Sequence, residues 1–417
     1  MSTTDLPYLP SKLKDMQSLS LLIAGVGLAI LLLSWIFGAA NFYQGYLVGW
    51  LFAIGFAAGG LMICCIHNLA HGGWGFLIRR IAEASAMTIL PIMVLFLPIM
   101  FSLDDLYPWA IRGEDGLSVY HTDPVIGAKL HYLNHGFMWL RYLIITVIWS
   151  GAAYLFHTYS KQQDLTGDMK WRRKMRFIAG PMALIYVLTV TIASVDWIMA
   201  LEPAWFSSIF GVMMAAGHML TMLSFGIVFL TFLAQWEPVK RAFTLERQHD
   251  LGKLLFAFVV FWTYIELSQF IIYWHANLPE EITWYMNRQT GGFNMLSWIL
   301  FMSQFAIPFL VLLSRSTKRN RKTLLGVASF LLFMRVVDIY WMVAPSINLP
   351  HEKTAALYPV KTTAMTGSAF HPLDVIGFVT FGALWFGLFL KNFRSRPILP
   401  VNDPYFSLNA EIKDSEA

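Results

Sequence analysis

Apolar residues run along this chain in long blocks with few polar interruptions. Ten blocks are long enough to cross a bilayer as helices, at about 1.5 Å per residue over roughly 30 Å of hydrocarbon. They lie near residues 19–40, 46–67, 78–101, 133–157, 176–199, 208–235, 252–275, 291–314, 323–344 and 371–391. Proline marks the expected irregularities. Pro91 and Pro98 in the third span and Pro308 in the eighth should kink their helices. Pro181, after Gly180, falls in the first turn of the fifth span as bounded here, where proline is tolerated.

The seventh block, with its flanks Leu251 to Glu281, carries an acid more than halfway along. Trp262, Glu266, Gln269 and Tyr273 recur at spacings of four, three and four, so a helix puts them on one face. A carboxylate at that depth costs about 2.5–3.5 kcal/mol on insertion scales, and such residues face a protein interior or water. The block closes on Asn277-Leu278-Pro279-Glu280-Glu281, where proline stops the helix and acids return to water.

Two pairs of spans share a pattern. The fifth ends in Val195-Asp196-Trp197-Ile198-Met199 with Pro203, the ninth in Val337-Asp338-Ile339-Tyr340-Trp341-Met342 with Pro345, each proline seven residues after the acid. The second and sixth each carry two glycines six apart, Gly49/Gly55 and Gly211/Gly217. These matches predict two parallel four-helix bundles, spans 2–5 (about 46–199) and 6–9 (about 208–344), flanked by spans 1 and 10. Gly55, Gly59, Gly60, Gly211, Ala215 and Gly217 would let helices approach closely.

Composition agrees with a membrane protein: 57% of residues are hydrophobic and 13% charged, against about 25% charged in soluble domains. Met1 to Ser18 is polar, so no cleavable signal is expected and the first span should remain as an anchor. Cys64 and Cys65 are adjacent in one span, which leaves no cysteine framework for a zinc site or an iron–sulfur cluster. With the N-terminus inside, 23 of the 30 Lys and Arg fall at the cytoplasmic ends and 5 at the outer ends. The remaining two, Arg141 and Arg335, lie within spans. This asymmetry predicts cytoplasmic termini, with an N-terminal segment over 1–18, the membrane domain over 19–391 and a tail over 392–417. The net charge of +5 therefore reports topology and contact with anionic lipid, and no nucleic-acid partner is expected. Short basic runs such as Lys170 to Lys174 and Arg315 to Lys322 are expected to fix topology, and the tail from Asn392 to run along the cytoplasmic surface. The longer outer segments 102–132 and 345–370, with Tyr107, Trp109, Tyr120 and Tyr358, are expected to cap the bundle or meet partner proteins.

Ionisable residues inside the spans gather toward the outer side: His135 and Arg141, Asp196, His218, Glu266, Arg335 and Asp338, and Asp374. Arg335 and Asp338, three apart, can pair directly. Arg141 has no acid in its own span; Asp196 and Glu266 are both candidates. Glu266 has no basic residue at helical spacing, which favours a proton or quinone role over a structural pair, and His218 is open to either reading. Asp374, just after His371-Pro372, is favourable at a helix N-terminus for structural reasons. His67 and His71, four apart, have the spacing of a metal pair but no carboxylate ligand nearby. A b-type haem needs facing histidines at matched depth, and His218 has no such mate.

The stretch Ser194-Val195-Asp196-Trp197-Ile198-Met199-Ala200-Leu201-Glu202-Pro203-Ala204-Trp205-Phe206-Ser207-Ser208-Ile209-Phe210-Gly211 resembles the signature of the NrfD-like quinol-interacting membrane subunits, the polysulfide reductase membrane-subunit family. It is more similar still to the two such subunits of bacterial alternative complex III. The stretch from His249-Asp250-Leu251-Gly252-Lys253-Leu254-Leu255-Phe256 to Glu281 resembles the smaller, F-type subunit. The resemblance covers nearly the whole chain. It implies a subunit of a quinol:electron-acceptor oxidoreductase, of the quinol:cytochrome c type, in a bacterial inner membrane. The implied partners are a sister NrfD-like subunit, outer iron–sulfur and multihaem cytochrome c subunits, and in some assemblies a terminal oxidase. Family knowledge puts the better-supported quinol site, for menaquinol or another quinol, in the larger sister. In the F-type subunit Asp196, His218, Glu266, Arg335 and Asp338 fall where a proton path is sought, with Arg141, His135, Gln269 and Asp374 as further candidates. The chain itself is expected to bind no redox cofactor.

Two other classes compete with that reading. One is a structural anchor for redox subunits. The other is a secondary transporter, which parallel repeats and buried charges would suit, although no Gly/Pro-broken span has charges beside its break.

Overall fold

The computed structural model describes residues 11–39, 41–70, 72–278, 281–289, 292–348, 370–400 and 402–403. Ten helices in it are long and apolar enough to cross a membrane: α1 (Lys12–Ile36), α2 (Phe42–Ala70), α3 (Gly73–Phe101), α4 (His135–Thr166), α5 (Met169–Leu201), α6 (Phe210–Leu233), α7 (Leu245–Ala276), α8 (Phe293–Leu313), α9 (Arg321–Ile347) and α10 (Pro372–Phe393). The chain is an all-α, ten-span membrane protein, and no strand occurs among the described residues. His71, Tyr358, the Pro279–Glu280 turn, most of 345–370 and the tail beyond Asp403 lie outside the described residues.

Burial sorts the helices. The apolar stretch of α2 is 89% buried and that of α6 83%, against 22% for α1 and α8, so α2 and α6 are the central pair and α1 and α8 face lipid. Helices apolar all round belong inside such a bundle. Each central helix closes a ring of four: α2 with α3, α4 and α5, and α6 with α7, α8 and α9. The rings meet where α6 packs on α2 and α5 and where α9 packs on α2, while α1 and α10 pair and lean on α2. The α2–α6 crossing depends on Gly59, where a Cβ would stand 2.3 Å from the carbonyl oxygen of His218.

The segments 102–134, 277–278 and 281–289 collect at one end of the bundle, the loop end. Lys129 Nζ donates there to the carbonyls of Pro203 (2.7 Å) and Ala204 (3.0 Å). The opposite, basic end holds a buried ionic network. Arg79 meets Glu83 at 2.8 Å and Asp403 at 3.0 Å, Arg172 meets Asp403 at 2.8 Å, Arg396 meets Glu83 at 3.1 Å, and Arg80 pairs with both Glu83 and Asp164. This corrects one expectation: Arg172, from the run Lys170 to Lys174, is buried and paired instead of facing lipid. The chain after α10 follows the basic end as far as Asp403, burying Ile398 and Leu399.

Boundaries differ from expectation where polar turns extend a helix past its apolar core. α5 starts at Met169, capped by Asp168, whose side chain accepts from Lys170 N at 2.8 Å. Pro181 therefore stands in the helix interior and not in the first turn. α9 likewise continues through Pro345, its helix ending at Asn348. α3 breaks into Gly73–Ala86, Ile89–Val94 and Leu97–Phe101, with Pro91 and Pro98 each in the opening turn of a new piece. In α8 a π turn, Phe301–Ala306, immediately precedes the piece that carries Pro308. Such turns often mark functional sites.

Candidate functional site

A cavity of about 460 Å³ lies in the second ring at the loop end, between α7, the short helix Thr283–Asn287, α8 and α9. Its volume is in the range of small-molecule sites. Trp262, Phe270, Tyr285, Phe301 and Trp341 are among its walls. Leu267, Phe270, Trp274 and Trp298, which form its rim, are exposed by 43%, 38%, 57% and 63% on the apolar perimeter, so the cavity opens sideways, toward lipid.

Two carboxylates reach it, Glu266 from α7 and Asp338 from α9. Glu266 sits ten residues, about 15 Å of helix rise, from the end of α7 at Ala276. Its Oε1 is sealed from solvent and has no hydrogen-bond partner among the described residues; the same holds for Asp338 Oδ1. Asp338 Oδ2 contacts Arg335 Nη1, the pairing expected from their spacing, and accepts from Gln304 Nε2 at 3.4 Å. Gln304 belongs to the π turn, whose extra residue turns this amide inward, fully buried.

Arg288, just past the helix Thr283–Asn287, also lines the cavity. All its N–H donors are engaged. Nε donates to Trp341 O (3.2 Å), Nη1 to Trp284 O (2.7 Å) and Glu202 (3.4 Å), and Nη2 to Met342 O and Ser346 Oγ (3.1 Å). Its guanidinium lies 3.3 Å from the centroid of the Trp284 ring. Burial pushes its pKa down to about 10 and Glu202 opposes the shift, so it stays charged at neutral pH. Glu202 also accepts from Asn287 (3.1 Å) and Ser346.

The charges of this group do not balance. Arg335 is matched by Asp338 and Arg288 by Glu202, while Glu266, within electrostatic reach of both guanidinia, is matched by neither. With every group ionised, three carboxylates face two guanidinia, and one negative charge remains in an apolar surround. Such a charge requires a proton or a cationic partner.

The other expected residues sort by place. His218 stands behind the cavity: its Nδ1 is 2.9 Å from Tyr186 Oη, its Nε2 has no partner among the described residues, and it neighbours Gly217, against which Arg335 packs. A Cβ at 217 would lie 2.3 Å from Arg335 Nη2, so glycine makes room for the guanidinium between α9 and α6. Gln269 and Tyr273 do not share the cavity with Trp262 and Glu266. Gln269 Oε1 accepts from Ser207 at 3.0 Å, and Tyr273 Oη donates to Phe206 O at 2.6 Å.

Arg141 resolves its two candidates in favour of Asp196, holding it in the first ring through two hydrogen bonds of 2.8 Å beneath the Tyr132 ring. Asp374 closes a capping box with His371 and accepts twice from Gln44 at 3.0 Å. His135 is a partly exposed loop-end residue beside Asp104 and Arg112. None of these lines the cavity.

Arg288, Glu202 and Gln304 were not singled out in the sequence. Arg288 counts there as one more loop cation, and its place beneath Trp284 depends on a fold across three segments. The chain matches no family model and no curated protein.

Proposed function

We propose that this chain is a membrane subunit of a quinol:electron-acceptor oxidoreductase and that the cavity takes the head of the quinol, with Glu266 as the proton acceptor. One observation carries the reading: an unmatched carboxylate faces an aromatic chamber that opens to the apolar perimeter. A quinol dissolved in the bilayer reaches such a chamber from the side, and its flat ring suits walls of Trp262, Phe270 and Trp341.

Oxidation of a quinol releases two electrons and two protons. A hydroxyl proton needs a base within hydrogen-bond reach, and the free oxygens of Glu266 and Asp338 are such acceptors. Only ionised Glu266 is a base, so it takes a quinol proton after passing its own outward. The electrons must leave through partners that carry redox centres, which agrees with the resemblance to subunits seated beneath iron–sulfur and c-haem proteins. The Lys and Arg bias supports a reading with the basic end in the cytoplasm and the cavity on the outer side, where protons released from quinol would leave.

An anchoring role is supported by a different observation. In the first ring the charges Arg141 and Asp196 are mutually satisfied and do not line the cavity, as expected of a scaffold. The two roles fit one chain, with α2–α5 as support and α6–α9 as the site.

The test is quinol turnover and proton release in the assembled complex with Glu266→Gln and Asp338→Asn. The proposal expects a fall of about a hundredfold or more for Glu266→Gln, the usual scale of a lost general base. Unchanged turnover and proton release in both variants would leave the anchoring role alone.

A further inference from the structure

We infer that the cavity is also a receptor site for hydrophobic organic cations that carry an N–H group, such as protonated aryl-alkyl amines. The inference rests on the charge and shape of the cavity and stands whether or not quinol is its natural occupant.

Three observations combine. First, the group Glu266, Asp338, Glu202, Arg335 and Arg288 is one negative charge over when ionised, and the unmatched member, Glu266, lines the cavity. A monocation makes the group neutral, as a proton on Glu266 does. Second, no cationic donor in the cavity is free to compete with such a ligand for the carboxylates. Arg288 is the cation among the described lining residues, and its N–H groups are spent on Glu202, Ser346 and backbone carbonyls. Third, the walls and rim are indole and phenyl faces at Trp262, Phe270, Trp274, Trp298, Phe301 and Trp341, the surface that attracts a desolvated cation.

An ammonium group at the depth of Glu266 would donate to the unpartnered Oε1 of Glu266, within reach of Asp338 Oδ1, while its aryl part lies among the indoles. Entry would displace the proton from Glu266. One proton should therefore be released for each ligand that arrives charged.

The probe is (2-naphthylmethyl)dimethylamine, with 2-naphthylmethanol as its neutral counterpart. Both are titrated calorimetrically into the protein in phosphatidylcholine nanodiscs, with empty discs subtracted for partitioning. Two buffers of different ionisation heat report proton release. The inference expects saturable binding of the amine, at least about tenfold tighter than the alcohol, from pairing and cation–π contact in a desolvated site. About one proton should be released.

Glu266→Gln should remove both the preference and the proton release, and Glu266→Asp should keep them. Trp298→Ala, at the exposed rim where folding is not at stake, should weaken amine binding several-fold. Equal binding of amine and alcohol, or full amine affinity with proton release in a folded Glu266→Gln protein, would overturn the inference.

Discussion

Arg141 and Asp196 grip each other through two hydrogen bonds of 2.8 Å, whereas Glu266 in the other ring has no such partner among the described residues. The contrast separates a buried charge that holds helices together from one that is left to react.

The Arg141–Asp196 pair should behave as a structural unit. Removing one member leaves a bare charge in an apolar interior, which costs about 3–5 kcal/mol. Arg141→Met or Asp196→Leu alone should therefore lower thermal stability sharply in detergent, and the double variant should recover much of the loss. Additive losses in the double variant would show that the two residues act independently. Ligand binding in the cavity should be unaffected in whatever fraction stays folded.

Gly217 and Arg335 are coupled by space. Gly217→Ala puts a methyl where the guanidinium now lies, and overpacking of this kind costs about 1–3 kcal/mol. Because Arg335 holds Asp338 at the cavity wall, the same change should weaken cavity ligands as well. Calorimetric binding and thermal unfolding, measured side by side, check both effects. Gly25, with open space around its Cβ position, is the control at which alanine should cost nothing.

The basic end makes a separate prediction about the chain after α10. Asp403 is gripped by Arg79 at 3.0 Å and Arg172 at 2.8 Å, and Arg396 is tied to Glu83 at 3.1 Å. Asp403→Ala should release this segment and take one acid from each of two buried guanidinia. Trypsin should then cut after Arg394 and Arg396 at least about tenfold faster than in the parent, since cleavage follows the population of the open form. An unchanged digestion rate would mean that the buried apolar pair Ile398 and Leu399 holds the segment unaided.

Long apolar blocks gave the ten helices directly, and the i,i+3 spacing gave the Arg335–Asp338 contact. Both depend on periodicity along one chain. What depends on a second helix was less legible. Arg141 had two candidate acids until the rings were assembled. Arg288 looked like a loop cation because its acid, Glu202, lies eighty-six residues away. The run Lys170 to Lys174 looked uniform, yet Arg172 is buried while Lys170 stays more than half exposed. Helix ends depart from the apolar blocks for a related reason: polar turns at Met169 and Leu245 extend helices beyond the apolar stretch that marks them in the sequence. The π turn of α8 leaves no sign in the sequence beyond Pro308, so nothing there points to Gln304.

The central claim, that a bilayer-soluble quinol seats its head beside Glu266, is tested most directly by photolabelling the intact complex with an azido-quinol and mapping the attached residues. Labels on Trp262 to Trp274 of α7 or Trp298 to Phe301 of α8, suppressed by excess unlabelled quinol and absent in Glu266→Gln, are the predicted result. Competable labelling that falls only on partner subunits or elsewhere on this chain, with those two stretches clean, would contradict it.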